Sequence, residues 1–174
     1  MSNDDLAISI ENLFFRFSID AQSFALKIHS LKIEKGERVA LVGPSGSGKS
    51  TLLGLICGIL TPCEGKIHVF EYQLENMSSR QRDQFRANTL GVIFQQFNLL
   101  PYLSVLDNVV LALEFSQLRK TSTVEKKERA EQLLAALGLQ GAGITQQKAS
   151  QLSVGQQQRV AAARAFVGLS LIHI

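Results

Sequence analysis

Gly43, Pro44, Ser45, Gly46, Ser47, Gly48, Lys49, Ser50 and Thr51 stand in one unbroken run. Their types suit the chemistry of a polyanion. Glycine reaches backbone angles closed to other residues, so successive amide N–H groups can turn inward on a phosphate. Lys49 brings a flexible ammonium to the β- and γ-phosphates, which makes it a candidate for both binding and catalysis. Ser50 offers a hydroxyl oxygen to Mg²⁺ and Thr51 can bond the α-phosphate. A helix starting here adds roughly half a positive charge at its N-terminus. A glycine turn that binds nothing is the plainer reading, but spacing, lysine, hydroxyl and both flanks argue against it. The run indicates a nucleoside triphosphate and leaves open what the energy is used for.

The flanks must position this loop. Val39–Val42, with Arg38 at its edge, reads as a buried parallel strand, and Leu52–Ile56 as the apolar start of a helix. That helix is expected to reach about Leu60 and to end in Thr61–Gly65, where Pro62 cannot continue it. Upstream, residues 7–17 suit a strand followed by a turn. The segments 24–29 and 31–33 alternate apolar and polar like a half-buried strand, and 34–37 carry a turn signal. These strands read as a small antiparallel layer leading into a parallel α/β core. Downstream come a short strand at 66–70, a polar helix at 78–86 capped by serine, and a buried strand at 90–94. Beyond Leu99 the pattern turns helical. The spacing predicts helices at 104–115, 122–137 and 155–167, the first with Ser104 and Asp107 as a capping box. Thr121 or Ser122 can cap the second, and Gly138 stops it.

A chain of 174 residues is long enough for one domain with a real core. The formal charge is +3 with both signs interspersed, which argues against a dedicated nucleic-acid surface. Residues 1–5 are acidic and lack the apolar region of a secretory signal, and no low-charge run is long enough to span a bilayer. Cys57 and Cys63 read as reduced thiols, and His29, His68 and His173 share no ligand spacing. The expected compartment is the cytoplasm.

GPSGSGKST, VIFQQFNLLP and LSVGQQQRVAAARA occur in this order. Together they resemble the nucleotide-binding domain of ATP-binding cassette (ABC) transporters over about residues 8–167. The resemblance implies an α/β fold: a P-loop NTPase (RecA-like) core with an antiparallel β layer and a helical signature subdomain, C-terminally incomplete. It implies ATP and Mg²⁺ as ligands and ATP hydrolysis driving transport in the intact protein. Phe17 falls where the family stacks an aromatic on adenine, although a core aromatic beside Phe14 and Phe15 fits as well. Gln95 resembles the glutamine that contacts Mg²⁺ and the attacking water, with Gln96 as a rival for the role. Ser153, Gly155 and Gln156 resemble the signature that covers the nucleotide of the opposite subunit, with Arg159 and Arg164 in the family's register. Val154 stands where the family has glycine, so its backbone must be ordinary, and Ala149 stands where related chains often have proline. Phe97, Leu99 and Tyr102, with the helix from Ser104, resemble the patch that docks a transmembrane permease subunit. The partners implied are that permease and a second copy, or a paired ATP-binding subunit, at the inner face of the membrane. FQQFNLLP is most similar to the lipoprotein-release and macrolide-export type.

In the family a further strand ends in aspartate, which supports Mg²⁺, and glutamate, the general base. Residues 169–174, Leu-Ser-Leu-Ile-His-Ile, imitate that strand and hold neither acid. They are the translation of CTG TCT CTT ATA CAC ATC, which resembles a transposon end used to prepare sequencing libraries. The expected organisation is therefore a partial domain over 1–168, with 1–98 as its α/β part and 99–167 as its helical part, then a non-native tail. Such a chain is expected to be poorly soluble or partly unfolded alone and inactive in turnover. A small-molecule kinase with the same loop would need an acceptor site and a lid, and the LSVGQ helix argues against it. A non-transport ABC ATPase is the other alternative.

Overall fold

The computed structural model describes residues 5–18, 24–116, 122–141, 143–168 and 172–173. Thr121, residues 1–4 and most of the tail lie outside these. The chain divides into two compact units, 1–83 and 84–174.

The first unit is built on a four-stranded sheet. Strand β1 (Leu6–Arg16) pairs antiparallel with β2 (Ala25–Glu34) and with β3 (Glu64–Val69), and β3 pairs with β4 (Tyr72–Gln73), giving the order β2-β1-β3-β4. The expected antiparallel layer is thus present, with the segments 24–29 and 31–33 joined into one strand. Alternation turns Ile8, Ile10, Leu13 and Phe15 of β1 inward, with Ile67 and Val69 of β3. A bulge interrupts the β1–β3 register between Glu11 and Phe14. It is marked by Asn12 at φ 48 and faced by Gly65 at φ 92.

Helix α1 (Lys49–Ile56) follows the glycine loop and buries Leu52, Leu55 and Ile56. It stops short of the expected Leu60. Gly58 at φ 63 donates to the Leu55 carbonyl, and Ile59 donates to that of Gly54. That pair of bonds closes the helix with a left-handed residue before Pro62 is reached.

Two expected strands are corrected. Residues 38–42 form no strand; Val39, Leu41 and Val42 are 55%, 43% and 88% exposed. The run expected at 90–94 is a strand only over β5 (Leu90–Gly91), and Ile93 and Phe94 are exposed. Apolar β-branched residues supply the propensity, but a strand exists only where a neighbour accepts its hydrogen bonds. No described strand runs beside 38–42, and β6 (Ile172–His173) reaches only Leu90 and Gly91, in parallel register.

Helix α2 (Ser79–Thr89) carries Phe85 inward, and the Ser78 hydroxyl accepts from the Gln81 amide. In the second unit, α3 (Val105–Glu114), α4 (Thr123–Ala136) and α5 (Val154–Val167) enclose one apolar core. Val105, Val109 and Leu113 meet Ala130 and Leu134 of α4 and Val160, Ala163 and Val167 of α5. The three helices match the expected segments. Ser104 caps α3 by accepting from the Asp107 amide. Ser122, not Thr121, caps α4 in a reciprocal box with Glu125. The Ser122 amide and hydroxyl hold the Glu125 carboxyl below its usual range, so this cap is lost on acidification through that lowered value. Gly138 at φ 73 ends α4 as expected.

Candidate functional site

The β1–β2 hairpin and the start of α1 build one cavity of about 620 Å³. Phe17 and Phe24 line it, with Ser45, Gly46, Gly48, Lys49, Ser50 and Thr51. Phe17 directly follows β1. Its ring packs edge-on against Phe15, with centroids 4.8 Å apart, yet it stays 65% exposed. An aromatic face is therefore available beside the loop, and the alternative of a core residue is answered by that exposure.

The loop backbone is shaped by its glycines. Gly46 has φ 79, and Gly48 has φ 93 as the residue preceding α1. A Cβ on Gly43 would meet the Ser47 Oγ at 2.9 Å, so the chain closes on itself there. No acidic residue lies in the first turn of α1, and no side chain caps it. The helix therefore presents its amides and partial positive charge to the cavity. The Lys49 Nζ donates to the Gly43 and Pro44 carbonyls at 2.8 and 2.7 Å and to the Ser47 Oγ at 3.4 Å. The ammonium is thus held at the mouth of the loop, where an anion can replace the carbonyls. Ser50 presents a hard oxygen to the same cavity, which suits a cation that keeps most of its other ligands from water and phosphate. Among the described residues no group of three or more His, Cys, Asp or Glu could hold a metal.

The remaining sequence-derived residues lie in the second unit. Gln95 and Gln96 are exposed after β5. The turn behind them is unusual: Phe97 and Asn98 both have positive φ, at 58 and 48. Arg164 of α5 grips it, donating to the Asn98 carbonyl at 2.7 Å and the Phe97 carbonyl at 2.6 Å. Burial pulls the Arg164 pKa downward, but a guanidinium stays charged. Arg164→Ala is expected to loosen this turn by about 1.5–3 kcal/mol, the value of hydrogen bonds from a charged donor. Amide exchange across 95–98 should accelerate, and Arg164→Lys should restore only part of the protection because an ammonium cannot fork. Unchanged exchange in the alanine variant would mean that the Phe97-to-Phe94 bond of 2.9 Å holds the turn alone.

Ser153 precedes α5 and forms a capping box with Gln156: its Oγ accepts from the Gln156 amide at 3.3 Å, and its own amide donates to the Gln156 side chain at 2.8 Å. The hydroxyl proton is left to donate outward. Val154 is 71% exposed and helical, so the departure from glycine costs nothing in the backbone. Gly155 has open space where a Cβ would stand. Arg159 bonds the Leu137 and Gly138 carbonyls, tying α5 to the end of α4.

The exposed patch expected at 97–102 is corrected. Tyr102 is 67% exposed, but Phe97 is half-buried and Leu99 packs against the helical core. Asn108 is the residue the sequence did not flag here. It is fully buried in α3, accepts from the Leu100 amide, and donates to the Leu100 and Ser104 carbonyls. An asparagine at an apolar helix position was the available signal. No helix among the described residues is long and apolar enough to cross a membrane.

The sequence profile described as ABC transporter matches residues 26–174. The chain belongs to the ABC transporter family. This ABC chain is 41% identical over 143 residues to MJ0796 of Methanocaldococcus jannaschii, an uncharacterized ABC transporter ATP-binding protein, covering 82% of this chain and 60% of that one. It is 40% identical over 169 residues to the macrolide export ATP-binding/permease protein MacB of Pasteurella multocida, covering 96% and 25%. The solved dimer of MJ0796 in a post-hydrolysis state with ADP and Pi superposes with a TM-score of 0.86 at 35% identity, covering 95% of this ABC chain and 72% of that one. The likeness bears out the α/β P-loop NTPase fold with its antiparallel layer and helices. The chain spans about three-fifths or less of the length of these curated relatives.

Proposed function

We propose that this chain is the ATP-binding portion of a transport ATPase. The observation that supports it best is the shared cavity, in which an exposed phenyl ring and an acid-free helix start lie beside Lys49. In this reading Phe17 stacks on the base, and the amides of residues 43–51 with Lys49 hold the phosphates. Ser50 would hold Mg²⁺, which would screen phosphate charge, and the family likeness gives Gln95 the further roles of metal contact and orienting the attacking water. Ser153, Gly155 and Gln156 close on the nucleotide of a second copy: a hydroxyl donor, an unobstructed glycine and a helix start all favour an anion. The relatives support this assembly. MJ0796 was solved as a dimer with ADP and Pi, and MacB joins an ATP-binding part to a permease. The reading extends to a permease partner, a position at the inner membrane face and a macrolide-export or lipoprotein-release type.

Residues 168–174 contain no acid that could serve as general base. The chain as given is therefore expected to bind Mg-ATP without turning it over. Equilibrium binding measured beside single-turnover hydrolysis tests both halves. Saturable binding without phosphate release is the expected result. No affinity at millimolar Mg-ATP would end the nucleotide reading, and rapid single-turnover hydrolysis would show that a base is supplied elsewhere.

A further inference from the structure

We infer that Phe24 forms a second wall for the nucleotide base, opposite in the hairpin to Phe17. This rests on the nucleotide reading above. Strands β1 and β2 pair Leu13 with Ile28, Phe14 with Lys27, Phe15 with Leu26 and Arg16 with Ala25. The ladder ends there, and Phe17 directly follows β1 while Phe24 directly precedes β2. Directly opposed residues of an antiparallel ladder project to the same face. The face carrying Phe15 and Leu26 is turned toward the glycine loop: a Cβ on Gly48 would meet the Leu26 Cδ1 at 3.1 Å and the Phe24 Cζ at 2.7 Å.

Phe24 therefore lies on the residue that opens α1, and both rings line the loop's cavity. Phe24 keeps 38% of its surface exposed and Phe17 65%, so each has a free apolar area. Contact with Gly48 involves the far end of the Phe24 ring, its Cζ and Cε1. A flat, weakly hydrated base entering between hairpin and loop covers both phenyls at once, and phenyl rings hold it by stacking and dispersion rather than by reading its edge. The phosphates would be held separately by the loop.

This separation gives the test. The full chain and its Phe24→Ala and Phe17→Ala variants are titrated with Mg-ATP and with Mg-tripolyphosphate, which has no base. Phe24→Ala is expected to weaken ATP about tenfold, as loss of one base–aromatic contact does, and to leave tripolyphosphate within about twofold. Because the chain has no tryptophan, Phe24→Trp supplies a fluorophore whose emission should be quenched by ATP and not by tripolyphosphate. Equal weakening of both ligands by Phe24→Ala would overturn the proposal, since Phe24 would then act only by bracing Gly48. Loss of ATP affinity in Phe17→Ala alone would overturn it as well. If the unaltered chain bound neither ligand, the nucleotide reading would fall and this inference with it. If it bound tripolyphosphate but Phe24→Ala left ATP affinity unchanged, only this inference would fall.

Discussion

Lys49→Ala is expected to weaken Mg-ATP binding by about 2–3 kcal/mol, some 30- to 150-fold, because a charge-assisted contact to phosphate is lost. The effect should be confined to binding. The carbonyls that Lys49 engages belong to Gly43 and Pro44 in an exposed loop, so water can replace the ammonium there without leaving a buried acceptor unpaired. Thermal midpoint and nucleotide affinity should therefore separate. An alanine variant that melts much earlier yet binds ATP normally would show that the lysine serves the loop's own fold. Lys49→Arg should not rescue: a planar fork on a longer side chain does not fit a mouth spanned by two carbonyls at 2.8 and 2.7 Å.

The largest effect on stability is expected at Gly65. Its φ of 92 is open to glycine and strained for alanine. An added Cβ would also collide with backbone, at 2.6 Å from the Asn12 carbonyl carbon and 2.7 Å from the Glu11 oxygen. A flexible side chain could swing away; the bulge of β1 cannot move without breaking its ladder to β3. Strain and overpacking together should cost about 2–5 kcal/mol. Gly36→Ala is the control. Gly36 has φ 79 and nothing within 4 Å of its added Cβ, so it isolates the backbone strain at about 1–2 kcal/mol. Urea midpoints of the two variants measure the difference. Equal losses would mean that the Asn12 bulge yields easily.

Where a segment carries its own partner or stop signal, its fate was readable from residue types. The alternation in β2, the cap at Ser122 and the stop at Gly138 each act within a few residues, and each appears where expected. The motif loop was readable because glycine, lysine and hydroxyl act through local backbone geometry. Residues 38–42 show the limit: Val42 has every preference for a strand, but preference does not supply a neighbour. Phe24 was missed for a related reason. It is a single aromatic ahead of β2, and it becomes part of a site only when the fold sets it against Gly48 in the cavity that Phe17 also lines. The Arg164 grip was half legible: the residue type stood in a recognisable motif, but its acceptors are backbone carbonyls 66 and 67 positions away in sequence.

The two thiols differ in a useful way. Cys57 is buried at the end of α1, while Cys63 is exposed, its amide bonded to the Phe14 carbonyl and its Sγ 3.9 Å from the carbonyl of Arg16. A maleimide dye should therefore label position 63 first, without mutagenesis. The tag would sit against the residue that precedes Phe17, so its emission would report whether the hairpin end responds when nucleotide is added.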